Sequence, residues 1–371
     1  VKAAIFSDLH LHCFQSFASI GQDGYNTRAR QIGRVAMKII DHASDLGCKA
    51  IFFAGDWFHV KKILAEELDL SGRILSRATA LGLTVGMVPG NHDMAADGKV
   101  SPIHALRSFG STVQLLDEAP LVFGKQGFTV AGVSYCGKRE ELLVKIKQVK
   151  KADLMILHAP CVGAEMASDL VQMDNEEAVG AEELIKASKA KLVVCGHYHK
   201  PQLFHEKQGW DNEIKGVMKG VRLLIPGAPL QHSFSDCGQI RGWWLLDTEG
   251  MSLEFKPIQE DTAIFEQKSY KEFLKDPGAV VGKYVSLQIP ETLKQSVREE
   301  VVDAIRTASA GVRVDLVPVQ KNAEKPRTDI TPATHPTQAM SSYAEVNPPP
   351  DKKRTMQLGI RAIDLALQEK S

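Results

Sequence analysis

Short apolar runs ending in Asp, Gly or His alternate in the N-terminal part of the chain with longer stretches whose apolar positions recur every three or four residues. Residues 3–6 form the first run, ending at Ser7-Asp8, and read as a strand. Over 27–46 the apolar residues Ile32, Val35, Ala36, Ile39, Ile40 and Ala43 have helical spacing, and Gly47 is placed to stop that helix. A second strand over 50–54 runs into Gly55-Asp56, a second helix over 63–81 is closed by Gly82, and a third strand over 84–88 is broken by Pro89-Gly90. This β-α-β-α-β order predicts a largely parallel sheet with helices packed on it.

Further on, the pattern predicts a short helix over 101–109, a β-hairpin over 121–133 turning near Gly124 and Gly127, and a charged helix over 139–150. A strand over 154–157 ends at His158, a helix covers 181–188, and a strand over 191–195 ends at Gly196. Apolar runs at 221–225, 242–246 and 251–255 follow, separated by turn residues. The fold class expected is α/β: two sheets face to face, flanked by helices, over 1–258. Residues 259–320 predict a small α/β cap, with strands over 285–289 and 312–317 around a helix over 291–308. From 321 to 352 the chain is polar and proline-rich, including Pro348-Pro349-Pro350, and suits a linker. A last helix is expected over 353–371, with Met356, Ile360, Ile363 and Leu367 on one face. That stripe suits either a partner surface or docking on the chain's own cap.

Composition narrows the setting. The formal net charge is zero, so any nucleic-acid contact has to be local rather than driven by a global basic field. Six scattered cysteines (Cys13, Cys48, Cys136, Cys161, Cys195 and Cys237) make no C-x-x-C pair, which fits reduced thiols in a cytosol. No apolar run approaches membrane-spanning length, and the first residues lack a basic-then-apolar signal pattern. The expectation is a soluble cytoplasmic protein with no membrane contact.

The chemistry is concentrated where strands end. Asp8 and His10 lie two residues apart, and His197 and His199 repeat the arrangement, so each pair shares a side. Asp56, Asn91 and His158 each follow a strand, and the carboxyl ends of strands are where α/β sites form. Two carboxylates, one amide oxygen and four imidazoles suit manganese, iron or zinc in a site without thiolates. Asp56 is the candidate bridge between two cations, which such a carboxylate holds roughly 3.5–4 Å apart. His92 follows Asn91 and is placed to donate a proton to a leaving oxygen or to stabilise charge on phosphorus. Asp93 is placed to orient its own loop or a neighbouring imidazole.

Asp8-Leu9-His10, Gly55-Asp56, Gly90-Asn91-His92-Asp93, His158 and Gly196-His197-Tyr198-His199, in this order, resemble the calcineurin-like metallophosphoesterases. Gly55-Asp56-Trp57-Phe58-His59 and Gly196-His197-Tyr198-His199-Lys200-Pro201-Gln202 are similar to elements of the SbcD-type DNA repair nucleases. So is Ile225-Pro226-Gly227-Ala228-Pro229 with Ser233-Phe234-Ser235-Asp236. The likeness covers roughly 1–258. It implies one metal on Asp8, His10, Asp56 and His199, and another on Asp56, Asn91, His158 and His197. It further implies a catalytic role for His92 and a substrate-phosphate role for His59. Two divalent ions are implied, manganese foremost, with magnesium, iron or zinc as alternatives. The implied partners are DNA, a second copy in a homodimer, and an SbcC-type coiled-coil ATPase engaged by segments after the cap. The implied activity is exonuclease and endonuclease action on DNA in end processing, repair or recombination. His12 where many members have Gly, a long insertion over 13–26, Ala228 in place of Ser and a short tail depart from the pattern. The short tail and neutral charge suit a bacteriophage-type member, acting in the host-cell cytoplasm.

The bland reading of the seven ligand candidates is polar capping of strand ends. Outside the motifs, His12 reads as a bystander, and His42, His104, His205, His232 and His335 as solvent-facing or locally satisfied. Cys195 reads as core packing, Lys61-Lys62 as a solvated face, and Arg28, Arg30 and Arg34 as a helix face with Arg28 nearest to any DNA. The alternative activity is a phosphomonoesterase or small cyclic-nucleotide phosphodiesterase on the same scaffold. A non-catalytic adaptor that recruits an ATPase is the third reading.

Overall fold

The first strand, β1 (Lys2–Phe6), shows why its apolar run is uninterrupted. Ala3 and Ile5 face one layer, Ala4 and Phe6 the opposite one, and all four are buried. The structure, a computed structural model, describes residues 1–94, 101–124, 127–167, 170–258, 264–317, 340, 351 and 353–360.

Helix α1 (Thr27–Asp45) begins at Asn26, whose side chain accepts the N–H groups of Arg28 and Ala29. Its Ile32, Val35, Ala36, Ile39 and Ile40 are buried together with Ile74, Leu75 and Ala78 of α2 (Ala65–Ala80). Both helices cover the outer face of β1, β2 (Cys48–Ala54) and β3 (Thr84–Val88). These strands and β4 (Val113–Leu115) are parallel, and Gly242–Asp247 and Ser252–Pro257 extend the sheet antiparallel on the other side of β1.

The order in this seven-stranded sheet is Val217–Met218, Ser252–Pro257, Gly242–Asp247, β1, β2, β3, β4. A second seven-stranded sheet runs Gly209–Asp211, Gln202–His205, Leu223–Ile225, Leu192–Gly196, Leu154–His158, Phe128–Val133, Leu121–Phe123. Between the sheets lie Ala3, Ile5, Ala50, Phe52 and Ala54 from one and Val130, Leu154, Ile156, Leu192 and Val194 from the other. The opposite face of the second sheet carries Met155, Leu157 and Val193 against Leu142 and Ile146 of one helix and Leu184 and Ile185 of another. Strands buried on both faces lose the polar alternation of a half-exposed sheet, which is why they read as continuous apolar runs.

The α/β two-sheet architecture is as the pattern predicts. The helix expected over 101–109 is one turn, Ile103–Leu106, continued by the tighter turn Arg107–Phe109. The helix expected from residue 291 starts later, at Gln295–Ala308. Phe265–Ser269 and Tyr270–Lys275 are a strand and a helix that the pattern did not signal. The strand pairs parallel with Tyr284–Pro290, in a three-stranded sheet completed by Gly311–Val317.

By contacts the chain divides into one unit of Val1–Ile289 with Lys294–Asp315, and another of Pro290–Leu293 with Leu316–Ser371. In the second unit, 353–360 is helical, and Asp351 Oδ1 accepts the N–H of Arg354 at 3.0 Å. Most of the expected linker over 321–352, with Ile363 and Leu367, lies outside the described residues. Among the described residues, no helix is long and apolar enough to cross a membrane.

Candidate metal centre

The loops after β1 and β2 continue the pairing of their strands. Asp8 N–H donates to Gly55 O at 3.0 Å, His10 N–H to Asp56 O at 3.0 Å and Leu11 N–H to Trp57 O at 2.8 Å. Asp8, His10 and Asp56 therefore emerge side by side. All three have positive φ (53°, 48° and 61°), as does His197 (119°). Left-handed backbone costs energy in residues with a Cβ and persists where the surroundings enforce it. The second sheet supplies His158, which pairs in register with Gly196 just ahead of His197.

The two sheets meet at these ends. His158 Nδ1–H donates to the Ala54 carbonyl at 2.8 Å, and His197 N–H to Asp8 Oδ2 at 3.3 Å. Glycines make the approach possible. A Cβ on Gly90 would stand 2.2 Å from Asp56 Oδ1, and one on Gly196 1.9 Å from Ala54 O.

All seven ligand candidates converge. Asp56 Oδ2 lies 3.7 Å from His10 Nε2 and 3.4 Å from His158 Nε2. Asn91 Oδ1 is 3.0 Å from His158 Nε2 and 3.1 Å from His197 Nδ1. His199 Nε2 faces His10 Nε2 at 3.1 Å. Asp8–His10–His199, Asp8–Asp56–His158 and His10–His59–His92 each bring their donor atoms within 4.8 Å of one another. The last group puts the two expected catalytic histidines against the ligand candidates: His59 Nδ1 is 3.4 Å from His10 Nδ1, and the rings of His59 and His92 stack at 5.3 Å and 13°. His92 N–H donates to Asp56 Oδ1 at 2.9 Å, and its Nδ1–H to the His59 carbonyl at 2.7 Å. Asp93 is buried and faces backbone, accepting Trp57 N–H at 3.1 Å, Gly90 N–H at 2.9 Å and Phe58 N–H at 2.9 Å.

Electrostatics favours lone pairs over protons on His10, His59 and His197. Burial and the neighbouring His199 hold His10 well below the ordinary histidine value. Burial and His158 push His197 down to about 3, and burial and His92 push His59 down to about 4. His158 shifts the other way: burial opposes its charge, but the Asp56 carboxylate outweighs it and lifts His158 to about 9. Burial raises Asp8, and Asp56 adds to the rise. Burial, then Asp56, lifts Asp93 to about 7. The donor set fits divalent cations. Asp8 Oδ1 is buried with no hydrogen-bond partner among the described residues, and a lone carboxylate oxygen among imidazole nitrogens is what a cation satisfies.

Three residues of the site carried no signal in the spacing. His232, expected to be solvent-facing or locally satisfied, is buried, and its Nε2–H donates to the Asp8 carbonyl at 3.1 Å. Asp236 lies in a segment notable only for its resemblance to a family loop, yet its Oδ1 is 3.2 Å from His199 Nδ1. Arg241 Nη2 pairs with that oxygen at 2.9 Å. Burial opposes the charge on Asp236, but His199 and Arg241 outweigh it and hold its carboxyl well below the usual range.

His12 is held by the fully buried Glu67, Nδ1 to Oε1 at 2.7 Å. Arg28 is buried, its guanidinium 4.2 Å over the Phe14 ring, rather than exposed on the helix face. His42 is exposed beside Trp243, Cys195 is core, Lys61 and Lys62 are exposed, and His335 lies outside the described residues.

Residues 1–249 match the calcineurin-like phosphoesterase superfamily domain. No curated protein sequence matches the chain. Among solved structures, TT1561 of Thermus thermophilus aligns at 15% identity over 70% of this chain and 99% of its own, with a TM-score of 0.43. A dimetal phosphatase from Danio rerio aligns at 11% identity over 66% and 91%, TM-score 0.38. The Pseudomonas putida nuclease MPE aligns at 14% identity over 66% and 84%, TM-score 0.27.

Proposed function

The chain belongs to the calcineurin-like phosphoesterase superfamily, and on that premise we propose that it is a two-metal DNA nuclease of the SbcD type, hydrolysing phosphodiesters at DNA ends as exonuclease and endonuclease. The observation that carries this reading is the stacked pair His59 and His92 laid against the Asp/His donor set. A phosphate seated on that set has two imidazoles at one side.

Divalent cations, manganese by our assignment, held by Asp8, His10, Asp56, Asn91, His158, His197 and His199, would supply charge for the phosphoryl oxygens and acidify water near neutral pH. Asp56 ties the 90–93 turn to the donor set through the N–H of His92. His92 keeps its Nδ1–H on the His59 carbonyl, and as the imidazolium it carries a second proton on Nε2 to give to the leaving oxygen. His59 supports that ring and faces the phosphate flank. Asp93 holds the Gly90, Trp57 and Phe58 backbone in place. The same reading assigns DNA contact to the cap over 259–320 and an SbcC-type ATPase to the helix beginning at 353, in a homodimer.

The test is incubation with linear duplex DNA in manganese, magnesium or chelator, beside His92→Ala. The expected result is metal-dependent degradation, with the variant slower by about 10²–10⁴-fold and unchanged in metal binding. Turnover of small phosphate esters with none of DNA would instead place the chain among phosphomonoesterases or cyclic-nucleotide phosphodiesterases.

A further inference from the structure

The segment 226–241 supplies no ligand candidate, yet it packs on Asp8, His10 and His199 and makes no hydrogen bond to Asn91, His158 or His197 among the described residues. Asp236 is 2% exposed, and all its contacts are directional. Its Oδ1 takes His199 Nδ1–H at 3.2 Å and Arg241 Nη2 at 2.9 Å. Its Oδ2 takes the N–H groups of His232 at 2.8 Å and Ser233 at 3.2 Å. Arg241 Nη1 also donates to the His199 carbonyl, as does Ala228 N–H at 2.9 Å. His232 donates to the Asp8 carbonyl, and its ring stands 5.1 Å from that of His10 and 5.3 Å from that of His199. Arg28 Nη2 fastens the His232 carbonyl at 2.9 Å. Asp8, His10 and His199, one of the donor groups, thus all rest on this loop.

The remaining donors are oriented differently. His158 leans on the Ala54 backbone carbonyl, and His197 Nδ1 faces Asn91. Among the described residues, no hydrogen bond joins 226–241 to Asn91, His158 or His197.

We propose that Asp236, locked in place by Arg241, is the positioning residue of one cation site only: it holds His199 with the proton on Nδ1, so that Nε2 presents its lone pair beside His10 and Asp8. The inference rests on the two-metal reading of the centre. A carboxylate behind a ligating imidazole fixes its tautomer and raises its basicity, and losing it costs 10–100-fold in metal affinity in comparable sites. Arg241 makes the arrangement tenable, because a buried carboxylate without its cation is strongly unfavourable. The two sites therefore respond separately to changes in the loop.

The experiment is a manganese titration of the metal-free full chain, followed by calorimetry and by electron paramagnetic resonance. The wild type binds two ions and gives the signal of a coupled pair. Asp236→Ala keeps one ion at wild-type affinity and binds the other about 10–100-fold more weakly, so an isolated-ion signal replaces the coupled one at intermediate manganese. The retained ion shows that the variant is folded. Ser235→Ala, exposed in the same loop, leaves both affinities unchanged. If Asp236→Ala loses its fold by circular dichroism, Arg241→Gln is read in the same titration and must weaken the same single ion. Equal weakening of both ions, or of neither, overturns the assignment. A wild type that binds only one ion sinks the two-metal reading beneath it, whereas absence of DNA cleavage sinks only the nuclease reading.

Discussion

Asp93 shows how much backbone one carboxylate can hold. It is fully buried, and its two oxygens take three N–H groups from two loops that carry candidate ligands. Its own carbonyl accepts Ser101 Oγ at 2.6 Å. Replacing it by alanine strands three buried donors, and an unpaired buried donor costs on the order of 1–3 kcal/mol. Asp93→Ala is expected to lower stability by about 3 kcal/mol in urea unfolding, and to weaken manganese binding because the 90–93 turn loosens. A variant with wild-type stability would show that the turn holds itself. Its neighbour His92 differs: it gives its backbone N–H to Asp56 and keeps ring nitrogen Nε2 toward the centre, so its removal should change rate rather than fold.

The unit that builds the centre is the loop after a parallel strand. Five such loops meet, and the turn at Gly90 lies tight against Asp56. A Cβ there would stand 2.2 Å from Asp56 Oδ1 and 2.4 Å from its backbone nitrogen. The backbone nitrogen cannot swing aside as a side-chain end can, so Gly90→Ala has to move a strand-end loop. Overpacking of this kind costs about 1–3 kcal/mol, and the displaced Asp56 should cost the chain its tight manganese binding. Tight binding in Gly90→Ala would mean that the turn can retreat without Asp56.

These loops were legible in the sequence because each follows an apolar run of strand length and ends in Asp, Asn or His. Edge strands such as Val113–Leu115 and Gly209–Asp211 were not, since short strands at a sheet margin carry too few residues to show a period. Helix Gln295–Ala308 was legible, but its start was not: Lys294 at the boundary makes no side-chain cap.

At the scale of the molecule, the centre is where two sheets are joined by polar groups at the edge of an apolar interlayer. Asp8 and Asp56 are buried there, and close carboxylates repel each other in low-dielectric surroundings. Cations between the sheets would relieve that repulsion only in the folded chain. Manganese at 100 times its dissociation constant should therefore stabilise the fold by about 2.7 kcal/mol per site, read as a rise in the urea midpoint that a chelator reverses. A midpoint indifferent to manganese would argue against binding at the junction.

By itself, the sequence determined the layered α/β order and the chemical identity of the candidate donors. Burial on one or two faces leaves a local record in every strand and helix, and ligand chemistry resides in residue type. Only the tertiary structure decided which donors face each other, that Arg28 and His232 are inside, and that Asp236 and Arg241 stand behind His199. Those contacts join loops separated by tens to hundreds of residues, and they depend on strand register and on how one sheet lies on the other. No local periodicity carries that information, because each segment's pattern reports only that it is buried and not against what.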